Sequence, residues 1–476
     1  MKVIKSKFKY AVFSLLIIFS QISLSDESLD KSINSHQEEF QNLALKIWDL
    51  AEVGYQEYKS SNLLQDSLES KGFRIETLPY MPTGFIAEYG TGSPVIAILG
   101  EFDALPGISQ SSSPFKETYK NNEAGHACGH HLFGAGSAWS AVAVKEWLSK
   151  NNKAGTIRFY GTPAEEGGSG KVYMVREGLF DDVDVVLHWH PGSVNHASPR
   201  TSNANKSAKF TFRGLSAHAA SAPHRGRSAL DGVESMNFMV NMMREHIPQE
   251  SRIHYVITKG GLAPNVIPDE AEVWYYVRHP KEKIVEELFQ RTVKAANGAA
   301  AGTETSLSYE VIHGNYSLMP NDTLQSLMNE KLIKRGGISY DNEEKEFAEK
   351  IYKTLLNPTS SIGDQEKILP YRTFHGYGST DVGDVSWLVP TAGARIASWV
   401  PGTPGHSWQA VASGGTSIGL KGEKLAAQVL SDTAIEIYLN PKIIEDAEKE
   451  RLKRVGEDFN YFPLLGDRDP PLDYRN

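Results

Sequence analysis

The chain has a single cysteine, Cys128, in 476 residues, so no intramolecular disulfide can staple it in any compartment. Positive charge is in deficit: 49 lysines and arginines face 58 aspartates and glutamates, a formal net charge of −9. That balance argues against nucleic acid as a partner, because nothing basic offsets phosphate repulsion. An anionic small molecule answers to local charge and stays open. Long apolar runs are also missing. The run Ala11–Phe19 is below bilayer-spanning length, and no second stretch reads as membrane-spanning. No internal repeat is visible.

What is present belongs to an ordinary globular protein, with 40% hydrophobic and 22% charged residues. The length exceeds what one hydrophobic core serves, so two domains are expected. The N-terminus is different in kind. Lysines at 2, 5, 7 and 9 precede the short apolar run, and small residues at Ser23 and Ser25 precede the acidic "DESLD". This is the layout of a secretory signal peptide over 1–25, which predicts an exported, periplasmic or secreted protein with no membrane contact after cleavage. A free thiol in an oxidising compartment is exposed to damage unless something occupies it. Cys128 therefore leans toward a ligand role.

The hydrophobic pattern predicts an α/β fold. "LALKIWDLAEVG" places Leu43, Ile47, Leu50 and Ala51 on one helical stripe, with Gly54 as a stop. Continuous apolar strands at Val95–Leu99, in "GTIRFYG" and in "DVDVVLHWHPG" alternate with helices, as in a mostly parallel sheet covered on both faces. Ser193–Ser207 is polar and reads as a linker. Beyond it the order of elements is βαββαβ-like. In "AEVWYYVR", Val273, Tyr275 and Val277 share one face; Glu272, Trp274, Tyr276 and Arg278 share the other. The expected domains are a catalytic part over 26–200, an inserted unit over 205–318, a second catalytic part over 319–440, and a tail over 441–476.

Ligand sites in open α/β sheets form where loops leave the carboxyl ends of the strands. "GEFDALPG" carries Glu101 and Asp103, and "HACGHH" carries Cys128 and His130. "TPAEEGG" carries Glu165 and Glu166, "LHWHPG" carries His188 and His190, and "PGTPGHSW" carries His406. Each motif alone has a bland explanation: a surface histidine, a solvated acidic turn, a small buried cysteine. Thiolate, imidazole and carboxylate groups on separate strand ends are together what a transition-metal site requires.

Those motifs, with "GLSAHAASAPHRGRSALDGV" and "GGLAPNVIPDEAEVWYYVR", resemble the M20 metallopeptidases, in their amidohydrolase branch, from about Ser35 through "PPLDYR". The resemblance implies a catalytic domain of the phosphorylase/hydrolase-like, zinc-peptidase type with an inserted α+β ferredoxin-like lid and dimerisation domain. It implies two divalent cations, Mn2+ or Zn2+, held by Cys128, His130, Glu166, His406 and one histidine of "LHWHPG". Counting from Asp184 favours His190; the His-x-x-Pro spacing of many relatives favours His188. Glu165 matches the general base, Asp103 a carboxylate orienting a ligand imidazole, and Asn265 a substrate contact. His218 matches a histidine that reaches into the partner subunit's site of a homodimer. Arg278 could pair with a substrate carboxylate. The implied reaction is hydrolysis of an N-acyl or N-aroyl amino acid, such as an aminobenzoyl-glutamate-like amide, or of a dipeptide-like amide. The alternatives are an exported dipeptidase or carboxypeptidase of the same fold, an enzyme using Cys128 as thiol nucleophile, and a non-catalytic solute-binding protein. His131 stands where many amidohydrolases have aspartate, and His126 and His224 are expected to be structural.

Overall fold

The computed structural model describes residues 28–119 and 123–475, and the leader expected over 1–25 lies outside the described residues. The strands run in chain order as β1 Arg74–Thr77, β2 Phe85–Thr91, β3 Val95–Gly100, β4 Gly155–Gly161, β5 Val185–Gly192, β6 Arg200–Thr201, β7 Ala204–Arg213, β8 Arg252–Lys259, β9 Glu270–His279, β10 Ser306–Asn315, β11 Phe374–His375 and β12 Thr391–Ala397.

Six of them form the main sheet, ordered β1–β2–β4–β3–β5–β12. Pairings β4–β3, β3–β5 and β5–β12 are parallel, whereas β1–β2 and β2–β4 are antiparallel. The sheet is thus mostly parallel, with a hairpin flank that periodicity does not reveal, because β1 is largely solvent-exposed. All six residues of β3 are buried, as an unbroken apolar run in a doubly covered sheet requires. Helices His130–Lys150 and Ser417–Leu439 pack together against it.

The inserted unit is a four-stranded antiparallel sheet, β10–β7–β9–β8, with helices Ala229–Met243 and Glu282–Thr303 packed on it. In β9 the alternation is as expected: Val273, Tyr275 and Val277 are buried in the unit's own core, while Trp274, Tyr276 and Arg278 face outward. Period 2 lets one strand build a core with one face and offer chemistry with the other.

Three expectations need correction. Ser193–Ser207 is no loose linker: Asn195, Ser198, Ser202, Asn203 and Asn205 are buried, and β6 pairs with β11. Short amide side chains satisfy backbone groups there, as when Asn195 Nδ2 donates to the Gln365 carbonyl at 2.7 Å. The first helix ends at Leu50, not Gly54, with Ala51 in the left-handed conformation. Residues 441–476 are not a detached tail over their described part: helix Lys442–Val455 is followed by buried Leu464, Leu465 and Tyr474. Among the described residues no helix is long and apolar enough to cross a membrane.

Truncating the central strand should be costly. Ile98 is fully buried, so Ile98→Ala should lower unfolding free energy by about 3 kcal/mol. Ile333 is 58% exposed, and Ile333→Ala should change it by less than about 0.5 kcal/mol. Urea denaturation of both variants checks the contrast.

Candidate metal centre and active site

The carboxyl ends of β3, β4, β5 and β12 deliver the unusual residues to one place. Glu101 and Asp103 follow β3, Glu165 and Glu166 follow β4, His190 sits near the end of β5, and His406 lies in the loop after β12. Cys128 and His130 meet them from the start of helix His130–Lys150. Between these two, Gly129 has a φ of 78° and lies so close to β5 that an added Cβ would come 2.7 Å from Pro191. Only glycine serves both demands. The His406 amide donates to the Ala127 carbonyl at 2.9 Å, tying the two loops together.

The turn after β4 is held from behind. Ala164 and Ser169 are non-glycine residues at φ 57° and 61°, a conformation that costs about 1–2 kcal/mol each. Buried Glu57 accepts the Ala164 amide at 2.8 Å and the Thr83 hydroxyl at 3.0 Å, and Tyr55 donates to the Gly168 carbonyl at 2.7 Å. Neither Glu57 nor Tyr55 is singled out by any local pattern.

Two donor groups share one sulfur. Ligand atoms of Cys128, His130 and His190 lie within 4.8 Å of one another, and so do those of Cys128, Glu166 and His406. Cys128 Sγ is 3.4 Å from His190 Nε2, and His406 Nε2 is 3.2 Å from Glu166 Oε1. Asp103 Oδ1 accepts from His130 Nδ1 at 2.8 Å, leaving Nε2 to point into the cluster. His130 Nε2 and Glu166 Oε1 are buried and make no well-formed hydrogen bond; each faces an ionisable atom instead, Glu101 Oε2 at 3.0 Å and His406 Nε2 at 3.2 Å. Ionisable atoms crowded without hydrogen bonds, with thiolate, imidazole and carboxylate chemistry, fit divalent cation binding. The five side chains that the resemblance names, with His190, therefore converge on one centre.

His188 does not join them. It stacks on Phe133 with ring centroids 6.4 Å apart and fills the space beside Gly393. Burial depresses it to about 4, leaving a neutral core imidazole. His126 and His131 are likewise buried, bonded to the carbonyls of Ile47 and Gly414, and His224 is exposed. His218 and Asn265 sit beside each other on the outer surface of the inserted unit, outside the cavity of this chain.

The electrostatics centre on crowded carboxylates. Burial, then the charges of Glu101 and Glu166, push the Glu165 carboxyl well above its ordinary range. Burial opposes ionisation of Glu101, but Lys171 and then His130 hold it well below that range. Lys171 is wholly buried, with Nζ at 2.7 Å from both Glu101 and Asp381. A lysine opening the apolar stretch "KVYMV" is the signal that could have found it. The Cys128 thiol and the Glu166 carboxylate push His406 up to about 11, the mark of an imidazole set in an anionic pocket.

The centre opens into a cavity of about 440 Å³ that Glu165, Arg200, Arg278, Arg395 and Arg475 also line. Of these arginines the sequence points only to Arg278. Burial, then the charge of Arg395, lowers Arg200 to about 9. Among the described residues none of the four is ion-paired with a carboxylate within 4 Å; Arg395 Nη1 donates to the Pro191 carbonyl at 3.3 Å and Arg475 Nη2 to the Glu166 carbonyl.

Because Asp103 fixes the ring of His130, Asp103→Asn should weaken Mn2+ or Zn2+ affinity by about 10–100-fold without unfolding the protein. Competition with a chelating dye, alongside a melting curve, measures both.

The model of peptidase family M20/M25/M40 matches residues 97–467. One of the subunits of the p-aminobenzoyl-glutamate hydrolase of Escherichia coli (strain K12) is 39% identical over 450 residues, 89% of this chain and 94% of that protein. An Xaa-Arg dipeptidase of Mus musculus is 27% identical over 447 residues, 90% of this chain and 93% of that protein. The crystal structure of an aminobenzoyl-glutamate utilization protein from Klebsiella pneumoniae superposes with a TM-score of 0.60 at 17% identity, covering 86% of this chain and 98% of that one, a likeness of fold. With its donor groups, its sheet topology and these matches in view, the chain belongs to peptidase family M20/M25/M40 and is a hydrolase of carbon–nitrogen bonds.

Proposed function

We propose that the protein is an exported metal-dependent amidohydrolase, cleaving the amide of an N-acyl or N-aroyl amino acid whose amino-acid half is acidic. The observation that carries this is the pair of donor groups sharing Cys128 at the mouth of an arginine-lined cavity. Cys128, His130, His190, Glu166 and His406 would hold two divalent cations, Mn2+ or Zn2+. When bound, these supply an acidified water and a polarised amide carbonyl. Glu165, beside these donors, would serve as the base that takes a proton from water and returns it to the leaving nitrogen. Asp103 keeps His130 in the tautomer whose Nε2 is free to ligate. Arg200 and Arg395, beside the thiol and His190, suit the carboxylate next to the scissile bond.

The name of the Escherichia coli relative carries a p-aminobenzoyl-glutamate substrate, and an aromatic acyl amide of glutamate fits this cavity's charge. The basic, apolar and small-residue order of 1–25 supports export. Glu165→Ala should bind Mn2+ or Zn2+ as the wild type does and lose at least about a thousandfold in kcat. Turnover on an acyl-amino-acid and dipeptide panel, before and after chelator dialysis with metal restored, tests the reading. A protein that binds these amides without ever hydrolysing them would be a solute receptor. Activity that survives complete metal removal and dies on thiol alkylation would make Cys128 a nucleophile.

The functional unit we propose is a homodimer. Helix Ala229–Met243 and edge strand β8 expose Phe238, Met242 and Val256 by more than half, a patch suited to a second copy. His218 and Asn265 would then complete the neighbouring site, His218 stabilising the tetrahedral oxyanion. His218→Ala and Glu165→Ala are each expected to be inactive alone. Co-expressed, they should regain activity, because a mixed dimer holds one intact site; no recovery would place His218 elsewhere.

A further inference from the structure

Arg475, at the end of the segment 470–475, lines the cavity. The segment is fastened to the catalytic domain where Gln56 Nε2 donates to the Leu472 carbonyl at 2.8 Å. Tyr474 is buried edge-on against Tyr55, ring centroids 5.8 Å apart, and a Cβ on Gly54 would come 2.3 Å from its hydroxyl. That anchor delivers Arg475 to the glutamate turn. Its guanidinium lies over the Tyr474 ring at 4.7 Å, and Nη2 donates to the Glu166 carbonyl.

Across from it stands Arg278, on the outward face of β9, its guanidinium over the Tyr276 ring at 5.2 Å. Both arginines line the one cavity, and the Nε of each is buried without a partner. A buried N–H left unbonded costs free energy, and two guanidinium forks steadied by aromatic faces present the geometry a carboxylate accepts. Arg200 and Arg395 occupy the other flank, against the cation donors.

We propose that Arg475 is a specificity-determining residue which, together with Arg278, holds the side-chain carboxylate of an acidic amino-acid substrate. This rests on the cavity being an N-acyl amino acid site. It divides the recognition of two carboxylates between two arginine pairs, one on the catalytic flank and one shared by the inserted sheet and the segment 470–475.

The test is steady-state kinetics of the metal-loaded full chain on N-benzoyl-glutamate and N-benzoyl-glutamine. Arg475→Ala should raise KM for the glutamate amide at least about tenfold while leaving the glutamine amide within about twofold. Arg475→Lys, which keeps the charge but loses the fork, should fall between. An unchanged glutamate-to-glutamine ratio overturns the proposal; equal loss on both amides does so too, and makes Arg475 a clamp of the glutamate turn. Should the wild type hydrolyse neither amide, the parent reading fails, and calorimetry decides this one separately. Binding of N-acetyl-glutamate that weakens about tenfold in Arg475→Ala, with N-acetyl-glutamine unaffected, upholds it. Absence of wild-type binding, or equal binding by both proteins, overturns it.

Discussion

Like charges held at close quarters away from water set the terms for the rest of the molecule. Glu101, Asp103, Glu165, Glu166 and the Cys128 thiol crowd one pocket at the end of a buried sheet. Burial opposes ionisation of Glu101, Asp103 and Glu165. Lys171 and His130 counter part of that, and the donor groups have the chemistry for cations to counter the remainder. Such a cluster survives only where backbone on all sides is rigid. The parallel strands β4, β3, β5 and β12 provide this, since each loop starts from a buried strand end that cannot shift without disturbing the core.

Rigid strands alone do not aim the side chains. The turn carrying Glu165 and Glu166 contains two left-handed non-glycine residues, and it is held from outside by Glu57, Tyr55 and Tyr474. These supports come from sequence positions more than a hundred residues away on one side and about three hundred on the other. Strain at a site, offset by distant hydrogen bonds, is the usual physical arrangement where geometry matters more than local stability.

That distance explains what the sequence reveals and what it hides. Val273, Tyr275 and Val277 declare their burial through period 2, and the βαββαβ order follows from strand and helix patterns that are local. Cys128, His130, Glu166 and His406 are legible because short-range glycine and proline punctuation surrounds each of them. For His190 against His188 the sequence supplies two opposed spacing arguments; the structure brings only His190 within 3.4 Å of the sulfur. Glu57 and Arg475 carry no local mark, because their meaning is a tertiary contact. Arg200 is hidden differently: the Ser/Asn-rich stretch around it looks solvated, yet those short side chains bond buried backbone and let the chain pass through the interior. Polarity in a sequence signals exposure only when no internal partner exists.

The two domains divide the work along the alternation of a single strand. β9 gives Val273, Tyr275 and Val277 to the core of the inserted unit and turns Tyr276 and Arg278 toward the cavity. The same strand therefore couples the stability of the inserted unit to recognition. A one-residue slip in its register would bury Arg278 in an apolar core and expose Tyr275, so the register that folds the unit is also the one that builds the site. The pairing Asn205 with Arg278, between β7 and β9, shows the consequence: both residues line the cavity because antiparallel partners in register share a face. The face that carries Arg278 is thus held in orientation by hydrophobic burial on its reverse side.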